Sequence, residues 1–513
     1  MAGYLLLLAP GLADWPQWRG PDRNGVTKDD VRLNLSWEEA GPEKLWQSET
    51  FPRENGSGSV VTSGDRAFVL VNWQEQVPTE QRRLDARVQN DLGVLDLAKM
   101  PPDLVTRLEA SRISMPKRLG GSRLIHWIRG ELPNILRTPT EEKAWKGTVE
   151  RRLREGEKAL PLDVMEILWS DRKRQFPSEA ALITWLDEQG FPADIQATIL
   201  DKVPKTKPLA EDVIFCLDLA TGKTHWKSGF SGSPDRTEAS STPIVQGGRL
   251  YACCSMRAVC LDVNSGKTIW SVDLPNGGTA SSPLLLEDRI IFLAGKLTAL
   301  DKISGRITWI NPDVRGKRAS PAHWRQGDRD YLVVHGDKNG LYCVEAETGK
   351  LQWKIDGGGD STPVVYQDQL IVHSASPAIG LVVYDLDPAG PTLRWNQVFD
   401  ESRGAASPLV YRDRIYLVGA DAATCCDLGT GKIHWQESIK GDISSPILAD
   451  NRIIALTNNG GYLTVMGTDA GQYLEVAKVR TRMARCPSPA LAKNRLLLRS
   501  RNNIECFDLS FKP

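Results

Sequence analysis

The 513-residue sequence has no excess of charge of either sign, because 64 Lys and Arg residues are balanced by 64 Asp and Glu residues. A neutral chain has no overall basic field to attract nucleic acid or anionic lipid. Beyond residue 13 the sequence also lacks any apolar run approaching the roughly 20 residues that a membrane-spanning helix needs. We therefore expect neither a nucleic-acid partner nor a transmembrane span.

Common catalytic signatures are missing as well. The sequence has no Gly-x-Ser-x-Gly, His-Glu-x-x-His, phosphate-loop or dinucleotide-binding motif. Its six histidines show no metal-ligand spacing. His335 and His373 end predicted second strands and are interpreted as turn residues, with a channel-facing role as the alternative. These observations predict no catalytic residue and no metal site.

Tryptophan, by contrast, is abundant, with 16 copies against 10 Phe and 10 Tyr. Six of these tryptophans recur every 39–44 residues, most of them just after an Asp-x-x-Thr/Ser-Gly-Lys/Arg turn. Such a period is the length of one four-stranded propeller blade. The repeated residues, which we interpret as structural docking residues, are Trp226, Trp270, Trp309, Trp353, Trp395 and Trp435, with the turn glycines Gly222, Gly266, Gly305, Gly349 and Gly431.

The number of blades follows from the strand starts. Seven Ser/Thr-Pro pairs precede apolar strands, where proline is tolerated, and Gly58-Ser59-Val60 supplies an eighth start. The C-terminal unit lacks an outer strand, and Glu43-Lys44-Leu45-Trp46 has the sequence of that strand. The predicted fold is thus all-β, an eight-bladed β-propeller closed by its N-terminal segment. Seven blades are the alternative, since Glu475 stands where a seventh repeat tryptophan is expected.

The Asp-x-x-Thr-Gly-Lys-x-x-Trp copies resemble the tryptophan-docking repeats of the PQQ-like β-propeller family, which includes quinoprotein alcohol dehydrogenases and the outer-membrane assembly lipoprotein BamB. The opening Asp14-Trp15-Pro16-Gln17-Trp18-Arg19-Gly20-Pro21 is similar to the start of secreted PQQ-like proteins common in planctomycetes. The resemblance covers residues 14–75 and 211–513. It implies how the blades stack and leaves the function open.

The repeat pattern is interrupted inside the first blade. The strand ending at Trp73 resumes only near Glu211, and the residues between have helical spacing, which predicts an inserted domain of four to six helices. This insertion is either a lid or partner-docking module or a decoration with its own core. Its basic groups, Arg151-Arg152 with Arg154 and Arg172-Lys173-Arg174, are interspersed with acids and are interpreted as a solvated helix face.

The predicted organisation has four parts. Residues 1–13 form a truncated signal peptide or, alternatively, an apolar strand, and the signal reading predicts an exported protein, periplasmic or extracellular. The other parts are an N-terminal segment (14–76) with the ring-closing strand and the start of blade 1, the helical insertion (77–210) and the remaining blades (211–513).

The nine cysteines predict thiols rather than a disulfide framework. Five of them occupy one repeated slot two residues before the turn acid, and equivalent positions on facing sheets lie about 10 Å apart, beyond the roughly 7 Å limit for a disulfide. These five are Cys216, Cys260, Cys343, Cys425 and Cys506. Quinoprotein alcohol dehydrogenases place a disulfide of adjacent cysteines against PQQ, but Cys253-Cys254 falls in a predicted regular strand.

Polar residues recur in the loops that enter the innermost strands, where propellers usually bind ligands. Arginines converging there suit a small carboxylate-bearing ligand, since guanidinium binds carboxylate in a bidentate manner. The alternative is a solvated ring of mixed charge. The candidate channel-mouth residues are Arg53, Arg236, Glu238, Arg318, Asp360, Arg403, Asp442 and Arg485.

The leading functional hypothesis is an exported, non-enzymatic binding and assembly scaffold of the BamB type, with a protein partner in the cell envelope and no cofactor. The alternative is a quinoprotein dehydrogenase that oxidises an alcohol or sugar with PQQ and Ca²⁺, with Asp360 and Glu238 as the nominated rim acids. Glycan binding is a weaker third hypothesis.

Overall fold

A computed structural model describes residues 14–27, 32–35, 37, 40–51, 54–117, 119–232, 241–255, 257–275, 281–337, 340–374, 376, 378–398, 406–419, 421–441, 443–469 and 471–511. The chain divides into two compact units. The β unit comprises Met1–Glu75 and Leu209–Pro513, and the helical unit comprises Gln76–Pro208.

Most of the described residues outside the helices lie in short strands. In chain order these are β1 Lys44–Gln47, β2 Glu54–Asn55, β3 Val61–Ser63, β4 Arg66–Pro78, β5 Arg82–Arg83, β6 Gln175–Phe176, β7 Thr206–Asp218, β8 Thr224–Ser231, β9 Ile244–Gln246, β10 Arg249–Cys254, β11 Arg257–Asp262, β12 Thr268–Asp273, β13 Leu284–Leu285, β14 Arg289–Asp301, β15 Ile307–Gly316, β16 Ala322–Gln326, β17 Arg329–Gly336, β18 Gly340–Glu345, β19 Leu351–Asp356, β20 Val364–Tyr366, β21 Gln369–His373, β22 Leu381–Asp385, β23 Thr392–Gln397, β24 Leu409–Tyr411, β25 Arg414–Val418, β26 Ala422–Asp427, β27 Ile433–Ser438, β28 Ile447–Ala449, β29 Arg452–Thr457, β30 Tyr462–Gly467, β31 Glu475–Arg480, β32 Ala490–Ala492, β33 Arg495–Arg499 and β34 Ile504–Asp508.

Within the described residues these strands form eight antiparallel sheets of three to five strands, besides the β5–β6 pair. Sheet 1 contains β2, β3, β4, β7 and β8, sheet 2 contains β9 to β12 and sheet 3 contains β13 to β15. Sheets 4 to 7 take the next four strands each, up to β31, and sheet 8 joins β32 to β34 with β1 from the N-terminal part of the chain. The predicted pairing of the Glu43–Trp46 stretch with the C-terminal sheet is confirmed, with Trp46 opposite Cys506.

A closed cycle of hydrogen bonds connects the starts of the first strands. At each of the eight Ser/Thr positions the backbone N–H donates to the side-chain hydroxyl of the equivalent residue in the next sheet, over 2.8–3.1 Å. The last of these bonds, from Ser488 N to Ser59 Oγ, returns to the first sheet. The first strands therefore surround a common axis. The members in order are Ser59, Thr242, Ser282, Ser320, Thr362, Ser407, Ser445 and Ser488.

The repeat tryptophans connect the outer parts of neighbouring sheets. Each indole Nε1 donates to a backbone carbonyl of the following sheet, as from Trp226 to Val263 over 3.1 Å and from Trp395 to Leu428 over 2.9 Å. The turn glycine of that next sheet has a positive φ, and a Cβ at Gly266 would lie 2.6 Å from the Trp226 ring. Glycine is therefore required both by the left-handed backbone and by the indole above it.

The junction between sheets 7 and 8 lacks this indole. The sequence placed Glu475 at the missing tryptophan, but this assignment is wrong, because the strand register sets Ala477 opposite Val465 as it sets Trp435 opposite Cys425. The preceding turn is two residues longer than that of sheet 6, since Gly467 N–H bonds the Leu474 carbonyl whereas Asp427 N–H bonds that of Lys432. Ala477 belongs to the same apolar cluster as Leu33 and Leu35 of the N-terminal segment.

The five repeated cysteines lie directly opposite docking tryptophans, as in the Cys216–Trp226 and Cys343–Trp353 pairs. All five are buried free thiols. Their predicted role as small buried residues is confirmed.

The helical unit has seven α-helices among its described residues, more than the four to six expected. Their starts match local signals: Asp85 and Ser178 cap the first and sixth helices, and Thr138 forms a capping box with Glu141. None of the described helices has the length and apolar composition needed to cross a membrane. Their bounds are α1 Ala86–Asp91, α2 Pro102–Ile113, α3 Gly121–Ile135, α4 Pro139–Glu155, α5 Leu162–Ser170, α6 Glu179–Glu188 and α7 Ala193–Lys202, with 3₁₀ turns at Leu97–Lys99 and Gly156–Lys158.

Two apolar clusters stabilise this unit, one around Leu168 and Trp185 and one around Leu104 and Leu153. The interpretation of its basic groups as a solvated face is wrong for Arg152. This side chain is 1% exposed and donates to the Glu109 carboxylate over 2.9 Å. A long amphipathic side chain on an otherwise charged helix face looks exposed in sequence but can turn into the core when an acid meets it there.

Truncating a docking tryptophan should destabilise the β unit. Trp270 is 8% exposed and bonds the Lys302 carbonyl, so Trp270→Ala should lower the free energy of unfolding of the β unit by about 3–5 kcal/mol. Trp145→Ala in the helical unit is the control. Calorimetry of both variants should show the loss in different transitions, and equal losses in the β transition would contradict the assignment.

The hydroxyl cycle can be tested by removing one oxygen. Ser407→Ala should cost about 1–3 kcal/mol, because the buried Thr362 N–H loses its acceptor. Ser407→Thr retains the hydroxyl, as Thr242 and Thr362 do naturally, and should unfold near the wild-type denaturant midpoint. A Ser407→Ala protein as stable as the threonine variant would show that the cycle contributes nothing.

Candidate functional site

The candidate site is the end of the channel where the loops enter the first strands. Of the eight nominated residues, Arg318, Asp360 and Arg485 are described, whereas Arg53, Arg236, Glu238, Arg403 and Asp442 lie outside the described residues. Arg318 and Asp360, from the entries to sheets 4 and 5, form an ion pair of 3.1 Å that is partly solvent-exposed. Arg485 is exposed and bonds no other residue in the described part of the chain.

Backbone strain marks two of these loops. Arg318 and Cys486 each stand two residues before a member of the hydroxyl cycle, and their φ values are +79° and +94°. Residues with a Cβ rarely adopt this region, and such strain tends to be retained at functional sites. Arg318 is thus both strained and charged at the channel mouth.

Below this rim, polar side chains at the ends of second strands hold the neighbouring loops. His335 Nδ1 donates to the Ser361 carbonyl over 2.7 Å, and His373 Nδ1 lies 3.4 Å from the Ala406 carbonyl. Arg499 makes the equivalent contact to the Gly58 carbonyl. In all three cases the acceptor immediately precedes a member of the hydroxyl cycle. These side chains therefore fix the backbone next to three members of the cycle.

Burial determines the charge of these groups. It lowers the pKa of His335 to about 4, with a smaller contribution from the charge of His373, so that His335 is neutral at pH 7. Burial also lowers the pKa of Arg499 to about 9, which leaves its guanidinium protonated. The prediction that the two histidines lie at the ends of second strands is confirmed, but they are paired strand residues rather than turn residues. The structural role of Arg499 was missed. The only sign of this role in the sequence was that a charged residue, Arg499, follows the apolar run 496–498.

A second polar network joins sheets 1 and 2. Asp212 is fully buried, accepts a 2.7 Å bond from Asn72 Nδ2 and is bonded by the Ser255 hydroxyl. Asp212 was not nominated from the sequence because it lies within a strand rather than in a loop. The network thus connects Asn72 in β4 and Asp212 in β7 of sheet 1 with Ser255, which follows β10 of sheet 2.

The adjacent cysteines do not form a cofactor platform in this network. Cys253 packs with Phe292 and Ala258, while Cys254 packs with Leu70 and Ile214 in a different cluster. Their strand is in regular register, so the two side chains point to opposite faces. Burial raises the pKa of both thiols. The pair therefore does not fit the face of PQQ in the way that the resemblance implies.

Within the described residues, no three His, Cys, Asp or Glu side chains lie together in a group that could hold a metal ion. The polar groups of this end bind backbone carbonyls of the neighbouring sheet or one another. The arrangement can hold a rigid rim, on which the Arg318–Asp360 pair is the charged feature.

The docking tryptophans, the glycine turns beneath them and the cyclic order of the sheets define a β-propeller of the PQQ-like repeat class. A family model described as "Outer membrane protein assembly factor BamB" matches residues 210–326, 294–382 and 380–504. These matches span more than half of the 513 residues, and the chain belongs to this family.

Individual relatives are more distant. BamB from Kangiella koreensis is 26% identical over 167 residues, which cover 30% of this chain and 41% of that protein. The matched region thus spans less than half the length of this curated relative. Among solved structures, BamB from Moraxella catarrhalis has a TM-score of 0.47 at 18% identity, covering 59% of this chain and 90% of that chain. A europium-containing methanol dehydrogenase has a TM-score of 0.42 at 12% identity, covering 56% and 78%.

His335 should make the β unit sensitive to mild acid. In the unfolded state His335 is protonated below pH 6.5, whereas in the folded state it stays neutral down to about pH 4. The free energy of unfolding should therefore fall as pH decreases between these values. The loss should be on the order of 3 kcal/mol at pH 4. His335→Asn, which keeps a donor for Ser361, should flatten the profile of denaturant midpoint against pH. His323→Asn, at an exposed histidine, is the control, and unchanged dependence in His335→Asn would contradict the assignment.

Proposed function

We propose that this protein is an exported, non-enzymatic binding and assembly scaffold, built as an eight-bladed propeller with the helical unit inserted in the first blade. The closed cycle of eight Ser/Thr positions supports the blade count. Its cellular partner is proposed to be a protein of the cell envelope. The family description names an outer-membrane protein assembly factor, and the proposal extends that role to this chain.

The proposal rests on one observation: the buried polar groups at the channel mouth form hydrogen bonds within the scaffold itself. His335, His373 and Arg499 are turned to carbonyls of adjacent sheets, and Asp212 is bound by Asn72 and Ser255. Catalytic acids and bases must reach a substrate proton, whereas these groups are buried and hold the scaffold in shape. A rigid ring with a charged rim suits binding rather than proton transfer.

The helical unit offers a second contact surface in this proposal. Ile113 in α2 is 74% exposed and Ile125 in α3 is 44% exposed. Large apolar side chains exposed on a unit with its own two cores are suited to partner contact. A small carboxylate ligand at Arg318 is a further proposal, and it must compete with Asp360 for the guanidinium.

The scaffold proposal can be separated from quinoprotein chemistry in one set of assays. Purified protein incubated with PQQ and Ca²⁺ should show no dye-linked oxidation of alcohols or sugars above the Asp360→Asn and Cys253→Ala/Cys254→Ala variants. Its melting temperature should also stay the same when the two are added. Cofactor-dependent turnover that these substitutions abolish would replace the scaffold by the dehydrogenase.

Partner contact can be tested with a photo-crosslinking residue placed in cells at Ile113 or Ile125. Discrete crosslinked protein bands are expected from these positions. Leu393, which is 55% exposed on β23, is the matched position in the β unit. Crosslinks from Leu393 alone would move the contact surface away from the helical unit, and none from any position would count against a stable protein partner.

A further inference from the structure

The N-terminal residues 14–27, here called the plug segment, run along the inner edges of the first strands. The Thr62 and Val245 N–H groups donate to the carbonyls of Trp15 and Pro16, each over 2.8 Å. At the other side, Leu448 N–H donates to the Gly25 carbonyl over 2.7 Å. Among the described residues these inner edges pair with no named strand, so the segment satisfies backbone groups of sheets 1, 2 and 7.

Two arginines extend the contact to three more sheets. Arg23 Nη1 donates to the Pro283 carbonyl over 2.6 Å, and its Nη2 lies 3.4 Å from that of Pro321. Arg19 Nη2 donates to the Pro408 carbonyl over 2.5 Å. All three acceptors are the prolines immediately after members of the hydroxyl cycle. The plug segment therefore bonds six of the eight sheets.

The segment has a compact conformation of its own. Arg19, Gly20, Arg23 and Gly25 all have positive φ. The backbone N–H groups of Gly20, Arg23 and Gly25 close turns by donating to the carbonyls of Gln17, Gly20 and Arg19. A Cβ at Gly20 would lie 2.9 Å from the Trp15 ring, so only glycine allows the indole to cover this turn. Trp15 is 2% exposed. This packing gives the Trp-x-x-x-Arg-Gly spacing of the sequence a physical reason.

The position of the segment along the axis is also defined. The Asp14 carboxylate accepts from Gly64 N–H, in the turn at the far end of the first strand of sheet 1. The arginines reach the prolines at the near end, beside the hydroxyl cycle. The segment thus extends from the end opposite Arg318 and Asp360 to the prolines beside the cycle.

Both guanidiniums carry charge in this enclosed position. Burial lowers the pKa of Arg19 to about 9, helped by the charge of Arg23, and that of Arg23 to about 10, so both are protonated at neutral pH. The acceptors are neutral carbonyls on several different sheets. A charged donor that bridges separate sheets makes hydrogen bonds of above-average strength.

We propose that the free inner edges of the first strands form a peptide-binding site, and that the plug segment is its intramolecular ligand. The occupant closes this end of the channel and holds the ring from the inside. In this arrangement a small molecule would approach the axis from the mouth with Arg318 and Asp360. Release of the segment would open the second end.

The first test uses hydrogen exchange in the full-length chain. In Arg19→Ala/Arg23→Ala, the amides of Thr62, Val245 and Leu448 should exchange at least tenfold faster than in wild type. The control is Arg329→Ala, at an exposed side chain in β17. Exchange at these three amides equal to that of the control would overturn the proposal.

The second test needs no destabilised ring. A protease recognition sequence placed after Thr27 allows the folded protein to be cut, and the fragment ending there should stay bound through gel filtration. A synthetic peptide of residues 14–27 in excess should replace the fragment, while the same peptide with Arg19→Ala should compete at least tenfold more weakly. Immediate loss of the fragment, or equal competition by the two peptides, would show that the segment is not a specific ligand.

Discussion

The closed cycle of backbone-to-hydroxyl bonds is the constraint on which the rest of the β unit depends. Each member must present an N–H to one side and a hydroxyl to the other, which only serine and threonine can do at this place. Because the bonds return to their starting point, no sheet can shift along the axis without breaking two of them. The docking indoles outside and the plug segment inside are positioned by this common frame.

Closure of the cycle also explains why polar side chains are buried at the channel mouth. The carbonyls of Gly58, Ser361 and Ala406, just before the cycle, would lose their side-chain donors at the sheet boundaries, and an unsatisfied buried carbonyl is unfavourable. His335, His373 and Arg499 each supply a donor there. Desolvating His335 and Arg499 is unfavourable, and the lowered pKa values of these two groups record that penalty. The mouth is consequently rigid where it is buried and charged where it is exposed.

The sequence predicted the features that repeat and missed those that occur once. Regular spacing revealed the docking tryptophans, the strand starts and the ring-closing strand at Trp46, because the same packing problem recurs in each sheet. The turn before β31 is two residues longer than the corresponding turn of sheet 6, and this local insertion misplaced the seventh docking position by two residues. The paired burial of Arg152 and Glu109 likewise depends on tertiary contact rather than local pattern.

Most of the site depended on long-range contact too. Arg318 and Asp360 were nominated from their loops, and their mutual pairing emerged from the fold. Asp212, Arg499 and the two plug arginines were not identified, because a charged residue in a strand or a short motif gives no sign of its partner. The sequence of the opening Trp-Pro-Gln-Trp-Arg-Gly stretch indicated only a family resemblance. In the structure its contacts explain its composition, since Trp15 packs on Gly20 and Arg19 donates to the Pro408 carbonyl.

The pairing of β1 with β34 has a consequence for the order of folding. Ser48 bonds Ile504 across 456 residues of chain, and contacts of such separation form slowly because a very long loop must close first. The last sheet cannot be completed until the C-terminal strands have been synthesised. Seven sheets can therefore form while β1 still lacks its partner strand, and the ring closes only once the C-terminal strands are present. During that interval the open edge is the part of the molecule most in need of protection from other strands.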